Sequence, residues 1–384
     1  MMMNRRTFLA TSIAGIAAAQ NSELPPAIRA LKPMLDGVQP ITDAERGARL
    51  EKARRLMHEN KLNAIYLESG TSMFYFTGKR QPGQAWILAG KGEPAWVTAD
   101  PVQAGGRLKD LGIAAGRIGL EEQVRFSTFD GLRQSAPAIE CVSATPVTAG
   151  CRMVKSPAEI ALMQRANDIT IAAYKAALGS LKEGMTERDL SAWIGAAYRN
   201  LGVNGFAMAS FGKYTAFPHG SIEPQKLREG DIVLIDDGCS VEGYQSDITR
   251  TTIFGKPTKR QTDVWNLERK AQDAALAAAK VGAPCESVDA AARKVITDAG
   301  FGPGYKVPGL PHRTGHGIGL DGHEWTNFVK GNKTKLEPGM CFSDEPMIAI
   351  YGEFGIRLED CLYITESGGR TFTKQSPAID QPFG

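Results

Sequence analysis

Carboxylates and histidines are embedded in four apolar stretches of this 384-residue chain: IVLIDDGCSVEGYQSDITRTTIF, HRTGHGIGLDGHE, CFSDEPMIAIY and GIRLEDCLYIT. Charge inside strand-like sequence is costly unless something of opposite sign meets it. A fold that accepts these stretches therefore has to gather them around a cation. The first stretch shows how. Two strands flank a turn near Ser240-Val241-Glu242-Gly243, an arrangement that sets Asp236 directly opposite Asp247. Opposed residues share a sheet face, whereas Asp237 alternates to the other face, so strand parity selects Asp236 from the Asp236-Asp237 doublet. The other stretches add His316 between glycines, Glu345 before Pro346, and Glu359 after Ile356-Arg357-Leu358. Five ligands, four of them carboxylates, suit two divalent ions. Manganese is favoured, with zinc, cobalt or iron as alternatives, over a thiolate-type zinc site.

Taken together, D-x-G, the second Asp eleven residues on in SDITRT, GHGIGLDGHE, EP and R-x-ED resemble the pita-bread metallopeptidases, which include methionine aminopeptidase, Xaa-Pro aminopeptidase and Xaa-Pro dipeptidase. The likeness is strong from Arg152 to Glu366 and weaker before it, where Tyr75-Phe76-Thr77-Gly78 is similar to a "YLTG" stretch of that family. The resemblance implies that Asp236, Asp247, His316, Glu345 and Glu359 are the ligands, Asp247 and Glu359 bridging. It implies that Glu345 moves a proton, that His219, His312 and His323 serve substrate rather than metal, and that Arg357 orients ligands. The implied reaction is hydrolysis of Xaa-Pro bonds next to a free N-terminus, through a hydroxide bridging the two ions. The rivals are another metal-dependent hydrolase or a lyase on the same fold and, last, a binding protein that has lost catalysis. A lone histidine is more often structural; His58 reads as a solvated helix residue.

Around the site the chain divides into a signal-like segment (1–19), a Pro-rich linker (20–40), a small α/β domain resembling the creatinase/prolidase N-terminal domain (41–150) and the metallopeptidase domain (151–384). The fold class is thus α+β, a curved antiparallel sheet backed by helices behind a small α/β domain. Thr42 with Glu45 and Ser156 with Glu159 are capping boxes that open helices; further helices are predicted over 186–201, from 258–261 onward, and over 286–299. Asn4-Arg5-Arg6-Thr7-Phe8-Leu9 and the apolar run to Ala19 resemble a twin-arginine export signal, predicting a periplasmic or otherwise exported protein. That run is too short to span a bilayer, so no stable membrane anchor is expected. A net charge of +3 signals no nucleic-acid partner. Peptides are the expected partners, and members of the resembled family are often homodimers. Of six cysteines most sit in apolar stretches as small hydrophobes, while Cys141 and Cys151 are spaced to allow a disulfide across a short loop.

Overall fold

The structure, a computed structural model, describes residues 24–97 and 101–384. The signal-like segment lies outside the described residues. The described residues form two compact units, one of Gln39–Glu159 with Gly319–Trp325, the other of Ile160–Ile318 and Thr326–Gly384 with residues 24–38. No described helix is long and apolar enough to cross a membrane.

The N-terminal unit is built on a five-stranded sheet in the order Ala95–Val97, Gln84–Leu88, Ala64–Glu68, Gly116–Leu120, Ile139–Ser143. Ala64–Glu68 is the hinge of its topology, antiparallel to the hairpin strand on one side and parallel to Gly116–Leu120 on the other. Its residues are buried on both faces, as a strand covered by helices must be. Tyr66 and Trp86 pack ring against ring at 4.8 Å, with Ile118, Leu108 and Leu132 around them. The Thr42 hydroxyl accepts from Glu45 N and starts the helix Asp43–Glu59. Two short helices follow strands of this sheet. Thr145–Arg152 follows directly on Ile139–Ser143, Pro146 being placed in the first turn where its missing N–H costs nothing; Thr71–Thr77 ends at Gly78, whose φ of 69° stops the helix. The short 319–325 stretch joins this unit through Glu324. That carboxylate is buried against Arg152 and Lys155 (3.0 Å to Lys155 Nζ) and accepts from the backbone N–H groups of Leu320 and Asp321.

The C-terminal unit alternates helices with short strands whose described pairings are all antiparallel. Its helices start where side chains can satisfy their first N–H groups: Thr186 with Asp189 and Thr258 with Gln261 each close a reciprocal capping box. Lys259–Ala278 lies against the sheet, and Trp265 Nε1 donates to Thr251 O at 3.0 Å. All six cysteines are free, Cys141 and Cys151 included.

The register of the 232–253 hairpin differs from the sequence expectation. Arg250 pairs with Ile235, and Ser240 with Gln245, so the two-residue turn is Glu242-Gly243 and Asp236 faces Thr249 rather than Asp247. Both turn residues have positive φ, 50° and 91°, the geometry that matches the twist of flanking strands in a two-residue hairpin. The slip is of two residues. Parity therefore survives, and Asp236 and Asp247 still share a face as diagonal rather than direct neighbours.

Candidate metal centre

Asp236 closes the strand Ile232–Asp236. Thr249, its cross-strand partner, has its hydroxyl 2.5 Å from Asp236 Oδ1 and 2.7 Å from Glu359 Oε2, and Arg357 Nε donates to that hydroxyl at 3.0 Å. One hydroxyl hydrogen cannot serve two carboxylates at once, so the cluster holds more acceptors than donors. Arg357 also pairs with Asp236 Oδ2 and donates from Nη1 to Pro218 O at 3.1 Å, which ties the FPHG segment to the ligand-bearing strands. Asp247 sits in the loop after Tyr244–Gln245; Cys361 Sγ clamps its backbone, accepting from Asp247 N at 3.3 Å and lying 3.1 Å from its carbonyl.

The two glutamates share a second hairpin. Asp344 pairs with Asp360 in one sheet and Met347 with Arg357 in another. These registers are in phase, and the interruption between them sets Glu345 across from Glu359. The ladder breaks there because both N–H groups are given away: Glu345 N donates to Thr314 O at 2.8 Å and Glu359 N to Thr249 O at 3.1 Å. His316 comes from the short strand Gly315–Gly317. Its Nδ1 faces Gly317 O at 3.1 Å, so a proton on Nδ1 is met by that carbonyl, and Nε2 is turned toward Glu345 Oε1 (3.2 Å) and Asp247 Oδ2 (3.7 Å).

Ligand atoms of Asp247, His316 and Glu359 all lie within 4.8 Å of one another. Burial, followed by the charge of Asp236, pushes the Asp247 carboxyl well above the usual carboxylate range, with Glu345 adding to the effect and His316 opposing it. Burial and the charges of Asp247, Glu345 and Asp236 do the same to Glu359. Burial also acts to raise Glu345, but its hydrogen bond to His316 and the imidazolium charge outweigh that and hold it well below the usual range. His316 is correspondingly raised: burial lowers it and the Glu345 hydrogen bond and charge more than compensate. Among the described residues Glu359 Oε1 is buried without a hydrogen-bond partner. Convergent buried acids, two of them pushed above the usual carboxylate range, beside an imidazole whose Nε2 faces them, fit divalent cations; the donor set is oxygen-rich with one nitrogen.

Residues 161–366, more than half of the chain, match the family described as metallopeptidase family M24. The chain belongs to metallopeptidase family M24. Residues 49–104 match the creatinase/prolidase N-terminal domain. This M24 protein is 28% identical to an Xaa-Pro dipeptidase of Pyrococcus furiosus over 347 residues, 85% of this chain and 97% of that one. It is 39% identical to an Xaa-Pro dipeptidase of Lactobacillus helveticus over 228 residues, 58% of this chain and 60% of that one. The solved structure of an Xaa-Pro dipeptidase from Bacillus anthracis superposes with a TM-score of 0.79 at 27% identity, covering 87% of this chain and 98% of that one. The M24 domain has the pita-bread fold, and the enzyme is a metallopeptidase.

The remaining residues singled out from sequence are placed differently. His312 Nδ1 faces Arg313 O at 2.7 Å, an arrangement that suits a proton on Nδ1 and leaves Nε2 as the bare nitrogen; burial lowers the basicity of the ring. His219 is exposed, one residue beyond the carbonyl that Arg357 holds. His323 is exposed on the 319–325 stretch, which belongs to the N-terminal unit. Asp237 has φ 117°, outside strand geometry, and its own carboxylate accepts from Gly238 N at 3.0 Å. Burial, then the charge of Asp236, pushes its carboxyl up to about 6. Sequence reasoning passed over Thr249 and Ser343. Ser343 accepts from His316 N at 3.0 Å and lies 3.2 Å from Glu345 Oε1. The available signal for Thr249 was its place two residues after Asp247, on the same face.

Proposed function

We propose that this M24 enzyme is an exopeptidase that hydrolyses Xaa-Pro bonds with two divalent ions, manganese being favoured, and that it acts as a dipeptidase in preference to an aminopeptidase. The observation that carries the metal assignment is the convergence of Asp247, His316 and Glu359 within 4.8 Å, extended by Glu345 through His316 and by Asp236 through Thr249. On this reading Asp236, Asp247, His316, Glu345 and Glu359 would hold the ions. When bound, such ions generate a nucleophile from water at neutral pH and polarise the scissile carbonyl. Glu345 takes up the proton of the attacking water and delivers it to the leaving nitrogen. His219, His312 and His323 bind the substrate and steady the developing oxyanion. Arg357 keeps Asp236 oriented.

Substrate choice rests on the relatives, which are Xaa-Pro dipeptidases matched over most of both chains. A tertiary Xaa-Pro amide has no N–H and a ring-fixed φ, so its hydrolysis needs a site shaped to that ring. With manganese added, Xaa-Pro dipeptides should be cut with kcat/KM at least about 10-fold above Xaa-Ala dipeptides, a discrimination of the size one pocket contact supplies. N-acetylated analogues should be inert. Preference for Xaa-Ala, or equal cleavage of acetylated peptides, would remove the proline-specific exopeptidase reading; faster cleavage of Xaa-Pro-Yaa tripeptides would turn it toward an aminopeptidase.

We further propose that the enzyme is exported, on the strength of the Arg5-Arg6 pair and the apolar run that follows. Changing Arg5→Lys together with Arg6→Lys keeps the charge and should leave precursor in the cytoplasm. Undiminished export of the double variant would point to a general secretory signal.

A further inference from the structure

His312 sits in a segment without ladder hydrogen bonds, so something other than a sheet has to hold it. The holder is one face of the helix Cys285–Asp298, where Asp289 and Arg293 are one turn apart and ion-paired, Nε to Oδ2 at 2.9 Å. Arg293 reaches out of the helix to three backbone carbonyls, those of Gly304 (2.8 Å), Leu310 (3.1 Å) and His312 itself. A planar guanidinium with five fixed donors suits such a task, and a point-charge ammonium does not. The Tyr305 ring lies against it, 4.4 Å from the guanidinium carbon. Asp289, buried, accepts from both the N–H (3.2 Å) and the hydroxyl (2.8 Å) of Thr314. Thr314 in turn gives its carbonyl to Glu345 N. The pair therefore grips the chain on both sides of Arg313, the residue whose carbonyl fixes the His312 tautomer at 2.7 Å. The bare His312 Nε2 is buried and has no hydrogen-bond partner among the described residues, and Glu345 and Arg357 are among the charged groups acting on the ring.

From this arrangement we infer that Asp289 and Arg293 are positioning residues: they hold the backbone around His312 so that its ring stays in the Nδ1–H tautomer with Nε2 presented as an acceptor. Neither residue belongs to a ligand or substrate motif, and both act through His312. The inference rests on the peptidase reading for its kinetic consequence but not for its structural one.

The test is a double-variant cycle on the full-length, manganese-loaded enzyme with an Xaa-Pro dipeptide, combined with nitrogen-15 imidazole spectra of the metal-free protein. Arg293→Gln should lower kcat by about 10- to 100-fold, the size expected when a reacting group is misplaced by about an ångström. Manganese content should be unchanged, and the His312 signal should lose its single Nδ1–H tautomer. Added to His312→Ala, Arg293→Gln should cost nothing further, since coupled groups are not additive. Asp289→Asn, close to isosteric, repeats the cycle and decides it if Arg293→Gln gives no cooperative melt. An Arg293→Gln loss that multiplies with that of His312→Ala overturns the inference, as does a wild-type His312 carrying its proton on Nε2. If the wild-type protein cleaves no Xaa-Pro peptide, the functional reading falls, and the tautomer comparison still decides the positioning role.

Discussion

An Asp247→Ala variant is expected to lose about 10³-fold or more in kcat/KM, the scale on which single members of a catalytic unit fail, together with most of its bound metal. The reason lies in what holds the residue. Its backbone is fastened by Cys361 through both its N–H and its carbonyl, so removing the carboxylate should leave the chain in place and take away only the oxygens that face His316. Asp237→Ala supplies the contrast. That carboxylate is turned onto Gly238 N by a backbone with φ 117°, and its removal should leave the metal content intact. Elemental analysis of both variants beside steady-state rates reads the difference. A fully metal-loaded Asp247→Ala protein, or a metal-free Asp237→Ala protein, would exchange the two assignments.

Metal removal should do more than abolish activity; it should make the site's contribution to stability fall as pH rises. Asp247 and Glu359 are raised in the folded, metal-free chain, whereas in the unfolded chain such carboxyls ionise near pH ~4. Above that pH the folded state binds more protons than the unfolded state, and stability falls as pH rises toward the folded values. His316 is raised as well, so the stability it contributes is complete below its unfolded value and is lost as pH rises through the folded one. Glu345 runs the other way, being held low, and its contribution fades only in acid. His312, lowered by burial, opposes this in the lower part of the range, but Asp247, Glu359 and His316 outnumber it, so between about pH 6 and 8 the net direction is downward. A tenfold difference in proton affinity between the folded and unfolded chains corresponds to about 1.4 kcal/mol, and each kcal/mol moves the midpoint of a domain this size by roughly 2–4 °C. The chelated protein should accordingly melt about 5 °C or more lower at about pH 8 than at about pH 6. Manganese should remove at least half of that difference, because a cation replaces the protons the acids were sharing. Asp237, Glu268 and Asp344 are also raised, as are Glu121 and Asp231, and they contribute to the slope that remains with metal bound. A metal-free midpoint that stays level or climbs over this range would show that the acids do not converge as described. Metal-free Asp247→Ala should have a shallower slope than metal-free wild type.

The family and the pita-bread fold were legible in short motifs because the chemistry requires particular residue types at particular spacings, and spacing is a property of the chain. Helix starts were legible for the same reason: Thr42, Ser156, Thr186 and Thr258 satisfy N–H groups three residues away, a local matter. Face parity was local too, since side chains alternate with a period of two, and Asp236 and Asp247 do share a face. Their register was not. It depends on which two residues accept positive φ at the turn, and Glu242-Gly243 rather than a pair one residue earlier does so. That choice put Thr249 opposite Asp236 and made it the hydroxyl between two acids. Glu345 and Glu359 face each other only because one hairpin changes sheets in the middle, sending their N–H groups to Thr314 and Thr249. Arg293, on a helix that precedes the GHG motif, meets His312 only once the 302–312 loop folds back along that helix. By itself the sequence determined the residue types, their faces and the kind of centre they can build. Tertiary structure decided which acids meet and which hydroxyl and arginine serve them, because those depend on distances between segments far apart in the chain and on burial, which no local pattern encodes.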